Sequence, residues 1–133
     1  MKNRIIDRII ISIPEYDGPG IYKIENLTNG KVYIGSSKNI KQRILSHDSS
    51  FRNRSVHCNY KFYEDIEKGH KFKAEVLEKC RNMAFYELRD REEYYVKKYN
   101  SFKTGYNSEP VITYDPYDYS WSNEVLNWLF EKM

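Results

Sequence analysis

Residues 20–37 read GIYKIENLTNGKVYIGSS, and the spacing of apolar, polar and turn-forming residues in this stretch decides the fold. The segments 20–26 (GIYKIEN) and 31–37 (KVYIGSS) carry β-branched and aromatic residues at alternate positions, the pattern of half-buried strands. Asn29-Gly30 between them tolerates positive φ and reverses the chain, which predicts a hairpin. Tyr22 shares a face with Ile24, and Tyr33 with Gly35. A two-residue turn at Asn29-Gly30 sets Tyr22 against Ser37 and Asn26 against Tyr33, leaving the tyrosines roughly 13 Å apart. A four-residue loop, Asn26 to Asn29, sets them directly opposite instead. Both registers place the two phenols on one face.

Outward from the hairpin, Gly35-Ser36-Ser37 leads into a helix over 38–48, with Ser37 as its cap. A second helix is expected over 59–68, ended by Gly69. Residues 71–79 (KFKAEVLEK) alternate as a third strand, and a long helix follows over 83–99. The order is β-β-α-α-β-α. It predicts an α/β domain with a small three-stranded antiparallel sheet flanked by helices. Short extensions, 1–18 and 109–133, frame a domain at 19–108, and a short helix is expected from Ser122.

A chain of 133 residues suits one domain, and 40% hydrophobic content is enough to bury a core. No apolar run approaches the length of a membrane span, and Asp7 and Arg8 interrupt any leader-like stretch. Cys58 and Cys80 lack metal-binding spacing, and a reduced, intracellular setting is expected. The net charge of +3 conceals an uneven distribution. Residues 38–73 hold nine Lys/Arg against four Asp/Glu, whereas 108–133 hold one against five. A basic middle suits a polyanion, although solvated helix faces produce the same count.

Four features break the structural pattern. In the long helix, Phe85, Leu88, Tyr95, Val96 and Tyr99 form an inward stripe, and Glu92 falls on it. A carboxylate there needs an ion pair, hydrogen bonds or a cation. In the first helix, Arg43 and His47 are four residues apart and stack on one side, beside the apolar Ile40 and Ile44. Gly35 lets the backbone bend or approach a ligand closely where the strand runs into a helix N-terminus, whose free N–H groups suit a phosphate. His57 adds a further imidazole to the basic segment, while His70 lies in a turn and is assigned no role.

Gly20-Ile21-Tyr22 and Tyr33-Ile34-Gly35 are the two name-giving motifs of the GIY-YIG nucleases. The likeness continues through Arg43, His47, His57, Glu92 and Asn107 in Gly105-Tyr106-Asn107, so residues 19–108 resemble that family's catalytic domain. The resemblance implies metal-dependent hydrolysis of phosphodiester bonds in DNA. It makes Glu92 the protein ligand of Mg²⁺, or of Mn²⁺ in its place, and Tyr22 the general base. A free phenol has a pKa near 10, so nearby cations must lower it. Arg43 would meet charge developing on the phosphate. Tyr33 and His47 would orient water or phosphate, and His57 would assist. Gly35 and Ser36 would approach phosphate, and Asn107 would anchor phosphate or brace the site. The likeness further suggests a microbial, phage or mobile-element origin.

Two other functions compete with cleavage. One is a nucleic-acid-binding module that keeps the fold without cutting, and the other is a structural or assembly protein whose tyrosines are core. A domain this small reaches few base edges, so specific cutting calls for a homodimer or added loops. The apolar residues of 122–133 suit packing on the domain or a dimer contact.

Overall fold

The computed structural model describes residues 7–53 and 60–107. Strands β1 (Gly20–Asn26), β2 (Val32–Ser37) and β3 (Phe72–Lys79) form one antiparallel sheet in the order β2-β1-β3. Helices α1 (Ile40–Asn53) and α2 (Tyr60–Glu67) lie between β2 and β3 in sequence, and α3 (Phe85–Tyr99) and a single turn, α4 (Ser101–Thr104), follow. The expected order is therefore present, with α4 added. Alternation divides the core into two layers. Tyr22 and Ile24 join Ile40, Ile44, Phe51, Phe62 and Phe72 on one face, while Ile21 and Ile34 meet Phe85, Leu88 and Val96 on the other.

The hairpin adopts neither expected register. Tyr22 pairs with Gly35 and Ile24 with Tyr33, and the loop is Leu27 to Gly30. The cause is Asn26, which is fully buried and whose side-chain Oδ1 accepts the N–H of Thr28 (2.7 Å) and of Asn29 (3.2 Å). This local cap keeps Asn26 in β1, and Gly30 takes the left-handed position at φ 77°. Both tyrosines do share a face, diagonally disposed, with ring centroids 6.3 Å apart.

Helix α1 starts later than expected and runs further. Asn39 Oδ1 accepts the Gln42 N–H at 3.1 Å and acts as the cap, whereas Ser37 Oγ takes the N–H of Asn39 itself. The helix continues past residue 48 because Phe51 brings another fully buried ring under the sheet. Aromatic packing continues through Phe62, which lies 4.6 Å from Phe51 and stacks on Tyr106 at 4.1 Å. Part of the chain's tyrosine content is thus core.

The segment expected as an N-terminal extension is tied into the domain. Ile9 and Ile10 are buried, and Ile10 bridges Phe72 in parallel along the outer edge of β3. Asp48 of α1, fully buried, accepts the N–H of Ile9 (2.8 Å) and of Ile10 (2.9 Å) and pairs with Arg8 and Arg52. The expected helix from Ser122 lies outside the described residues, as do His57 and Cys58. Among the described residues no helix is long and apolar enough to cross a membrane.

Asp48→Ala strands two buried N–H groups and removes the ion pairs to Arg8 and Arg52, so it should cost about 3 kcal/mol in urea unfolding. Amide exchange at Ile9 and Ile10 should accelerate more than in the sheet.

Candidate active site

The sequence-marked residues gather around the end of β2. On the α1 face, the Tyr22 hydroxyl lies 2.9 Å from His47 Nε2. The rings of Tyr22, Tyr33 and His47 stand 5.6 to 6.3 Å apart by centroid. Tyr22 is buried, 1% exposed, and its ring lies directly over Gly35. A Cβ at Gly35 would sit 2.4 Å from both Cζ and the hydroxyl oxygen. Gly35 is therefore bare to admit the phenol, and the close approach it permits is to Tyr22.

His47 is partly exposed, yet its pKa is held well below the usual imidazole value. Loss of hydration is the main cause, and the charge of Arg43 adds to it. Arg43 lies one turn earlier in α1, as the spacing predicts. At neutral pH the imidazole is uncharged, so the nitrogen facing Tyr22 is able to accept a hydrogen bond from the phenol when the other nitrogen carries the hydrogen.

On the α3 face, Ser36 Oγ donates to Glu92 Oε1 at 2.5 Å, and Arg89 Nη1 donates to Glu92 Oε2 at 3.3 Å. Glu92 keeps 15% of its side chain exposed. Burial raises its pKa against the opposing effects of Arg89 and Ser36. The carboxylate on the apolar stripe is thus compensated by an arginine three residues away, a spacing legible in the sequence although Arg89 was not singled out there. Glu93 instead pairs with Lys97 at 2.8 Å on the surface. The Ser36 hydroxyl, expected near phosphate, is committed to Glu92.

Asn107 lies on the outer side of β2. Its Nδ2 donates to the Ile34 carbonyl at 2.9 Å and its Oδ1 accepts the Ile34 N–H at 3.0 Å. The side-chain amide pairs like a strand residue, and the Tyr106 N–H bonds Val32 O at 2.9 Å beside it. Both ends of the amide serve β2, a bracing arrangement. Tyr106 reaches a buried network that sequence reading missed. Its hydroxyl donates to Asp65 and accepts from Asn26 Nδ2, which also bonds His70. Asn26 and Asp65 are separated by 39 residues, so no local pattern announces their meeting. Cys80 is free and buried, and burial pushes its thiol up to about 11.

Among the described residues no cluster of three or more His, Cys, Asp or Glu forms a ready metal cage. The arrangement is instead a tyrosine–histidine pair and a single carboxylate, held on consecutive residues of one strand. A model of the GIY-YIG catalytic domain matches residues 18–107, and the chain belongs to the GIY-YIG family.

The chain is 36% identical over 96 residues to uncharacterized protein 019R of Invertebrate iridescent virus 6, and 34% identical over 92 residues to intron-associated endonuclease 1 of Enterobacteria phage T4. These alignments cover 70% and 66% of the chain but 34% and 36% of the relatives, so it spans about a third of their length. The catalytic domain of homing endonuclease I-TevI superposes with a TM-score of 0.62 at 30% identity, covering 68% of this chain and 98% of that one. A mutant of the same catalytic domain gives 0.57 at 26% identity, covering 72% and 98%.

Gly35→Ala should drive the Tyr22 ring off His47 and cost about 1–3 kcal/mol, read by urea unfolding and by loss of ring contacts in NMR. The imidazole of His47 should titrate well below 6.5. Because the unfolded chain protonates this ring near 6.5 and the folded chain does not, its contribution is complete above that pH and is lost below it. Glu92 acts in the opposite sense, since its folded carboxyl holds a proton to higher pH than the unfolded one. Comparison of wild type with His47→Asn isolates the histidine slope.

Proposed function

We propose that the chain hydrolyses phosphodiester bonds in DNA with a divalent cation, Tyr22 acting as general base and Glu92 as the metal ligand. One observation carries the reading. The Tyr22 phenol rests on Gly35 and the Glu92 carboxylate is bonded to Ser36, so consecutive residues of β2 present a base and an anion from opposite faces.

The donor set fits Mg²⁺ or Mn²⁺. A lone carboxylate suffices for a cation that keeps most of its water, and the raised pKa of Glu92 marks an anionic site that positive charge would stabilise. When bound, the cation polarises the phosphate and steadies the leaving oxygen. The protein groups supply the rest. Tyr22, its hydroxyl held against the uncharged His47, takes a proton from water once nearby positive charge has lowered the pKa of the phenol. Arg43 offsets charge at the phosphate, Tyr33 fixes the orientation of the His47 ring, and Ser36 aims the carboxylate. Asn107 braces β2, and His57 assists as the family resemblance suggests.

The Arg89–Glu92 ion pair favours one other reading, a fold that binds nucleic acid without cutting, because the carboxylate already has a cationic partner. Incubation of wild type, Glu92→Gln and Tyr22→Phe with supercoiled plasmid and single-stranded DNA, with Mg²⁺ and with EDTA, separates the two. Cleavage should require the metal, and each variant should lose about 10²-fold or more in kcat while remaining folded. A folded wild type that shifts DNA on a gel yet cuts neither substrate would establish the binding module instead.

A further inference from the structure

At the end of the sheet that carries Tyr22, two cations converge on one aromatic ring. Lys79 Nζ and the guanidinium carbon of Arg81 each lie 5.0 Å from the Tyr16 ring centroid. Both side chains are exposed, and neither forms an ion pair among the described residues. Like charges repel, so two of them gathered with no ion-paired carboxylate on either among the described residues leave a local surplus that an anion would satisfy.

The gathering is built by the backbone. Tyr16 OH donates to the Pro19 carbonyl at 2.7 Å, and the Cys80 N–H donates to that same oxygen at 2.8 Å. Cys80 is buried, so Lys79 and Arg81 on either side of it turn outward together. A β-bulge sets the charge. Tyr22 pairs with Val76, but Ile21 pairs with Glu78 and Gly20 with Lys79, which leaves Leu77 as the extra residue. An unbulged strand would set Glu78 opposite Gly20 on the Tyr22 face and turn Lys79 towards α3. The extra residue exchanges them. Glu78 faces α3, where Arg91 and Tyr95 bond its carboxylate, and Lys79 comes to the Tyr22 face two strand positions from the phenol.

We infer that Lys79 and Arg81, spaced by Tyr16, form a binding site for the phosphate backbone of duplex DNA beside the scissile bond. The inference rests on the proposed nuclease reading and extends it to a contact that neither triplet motif includes. The site reads no bases, because two cations on a ring meet successive phosphates whatever the sequence. It fixes the strand relative to Tyr22 and acts on binding rather than on the chemical step.

The test compares plasmid cleavage by the full chain with that by Lys79→Gln/Arg81→Gln and by the charge-keeping Lys79→Arg/Arg81→Lys. Neutralisation should raise KM about tenfold or more near 0.1 M salt and leave kcat within about twofold. It should also make the fall of log(kcat/KM) with log salt shallower by about two. The charge-keeping variant should restore both. An unchanged KM and slope, or a loss confined to kcat, would overturn the inference. An unchanged KM with a lowered Tm would assign the pair to a contact within the protein, which overturns it equally. If wild type does not cut, the same slopes are read from duplex binding by fluorescence anisotropy, so the two readings fail separately.

Discussion

The phenol of Tyr22 lies on a glycine, and most of the site is arranged by that contact. The ring fills the space where a side chain at position 35 would stand, and from there its hydroxyl reaches His47 at 2.9 Å. A slip of two residues in the hairpin would bring Ser37 or Tyr33 under the ring instead. The observed register selects the one residue that offers no side chain. The burial of Tyr22 and the bareness of Gly35 are therefore a single constraint, and it fixes how β1 and β2 meet. Because β2 bends directly into α1, the same register also sets where His47 and Arg43 stand.

A consequence is a site divided by its own sheet. One face holds a neutral imidazole and a phenol, and the other holds a carboxylate that burial makes reluctant to ionise. Separate walls allow the two environments to differ, so neither group directly cancels the other. Arg89 and Ser36 hold the carboxylate in place on its side, and loss of hydration, with the charge of Arg43 adding to it, keeps the imidazole unprotonated on the other.

The sequence made the elements and the gathering of residues legible because those rest on short-range periodicity. Glu92 stood out on the α3 stripe, the Arg43–His47 spacing placed both on α1, and the strand alternation put Tyr22 and Tyr33 on one face. The hairpin register escaped because Asn26 acts through its own side chain, opening a four-residue loop, Leu27 to Gly30, where the Asn29-Gly30 signal alone indicates a two-residue turn. The cap of α1 escaped for a similar reason, since Ser37 and Asn39 are both competent and only geometry chooses Asn39. Asp65 and Tyr106 were invisible because their partners lie about forty residues away or more, and the role of Asp48 in holding Ile9 and Ile10 escaped for the same reason. The bulge at Leu77 leaves no mark at all, for LEK reads as an unbroken strand.

The two outer edges of the sheet are closed by chain that is not strand. Ile9 and Ile11 bond Phe72 along β3, and Tyr106 and the Asn107 side chain bond Val32 and Ile34 along β2. Closure on the second side joins residues 73 positions apart. A growing polypeptide therefore exposes an adhesive strand edge, open to pairing with other chains, until the last of these segments has been made. The asparagine that braces β2 is thus also a late seal, and the time before it arrives is when this domain is most vulnerable to aggregation.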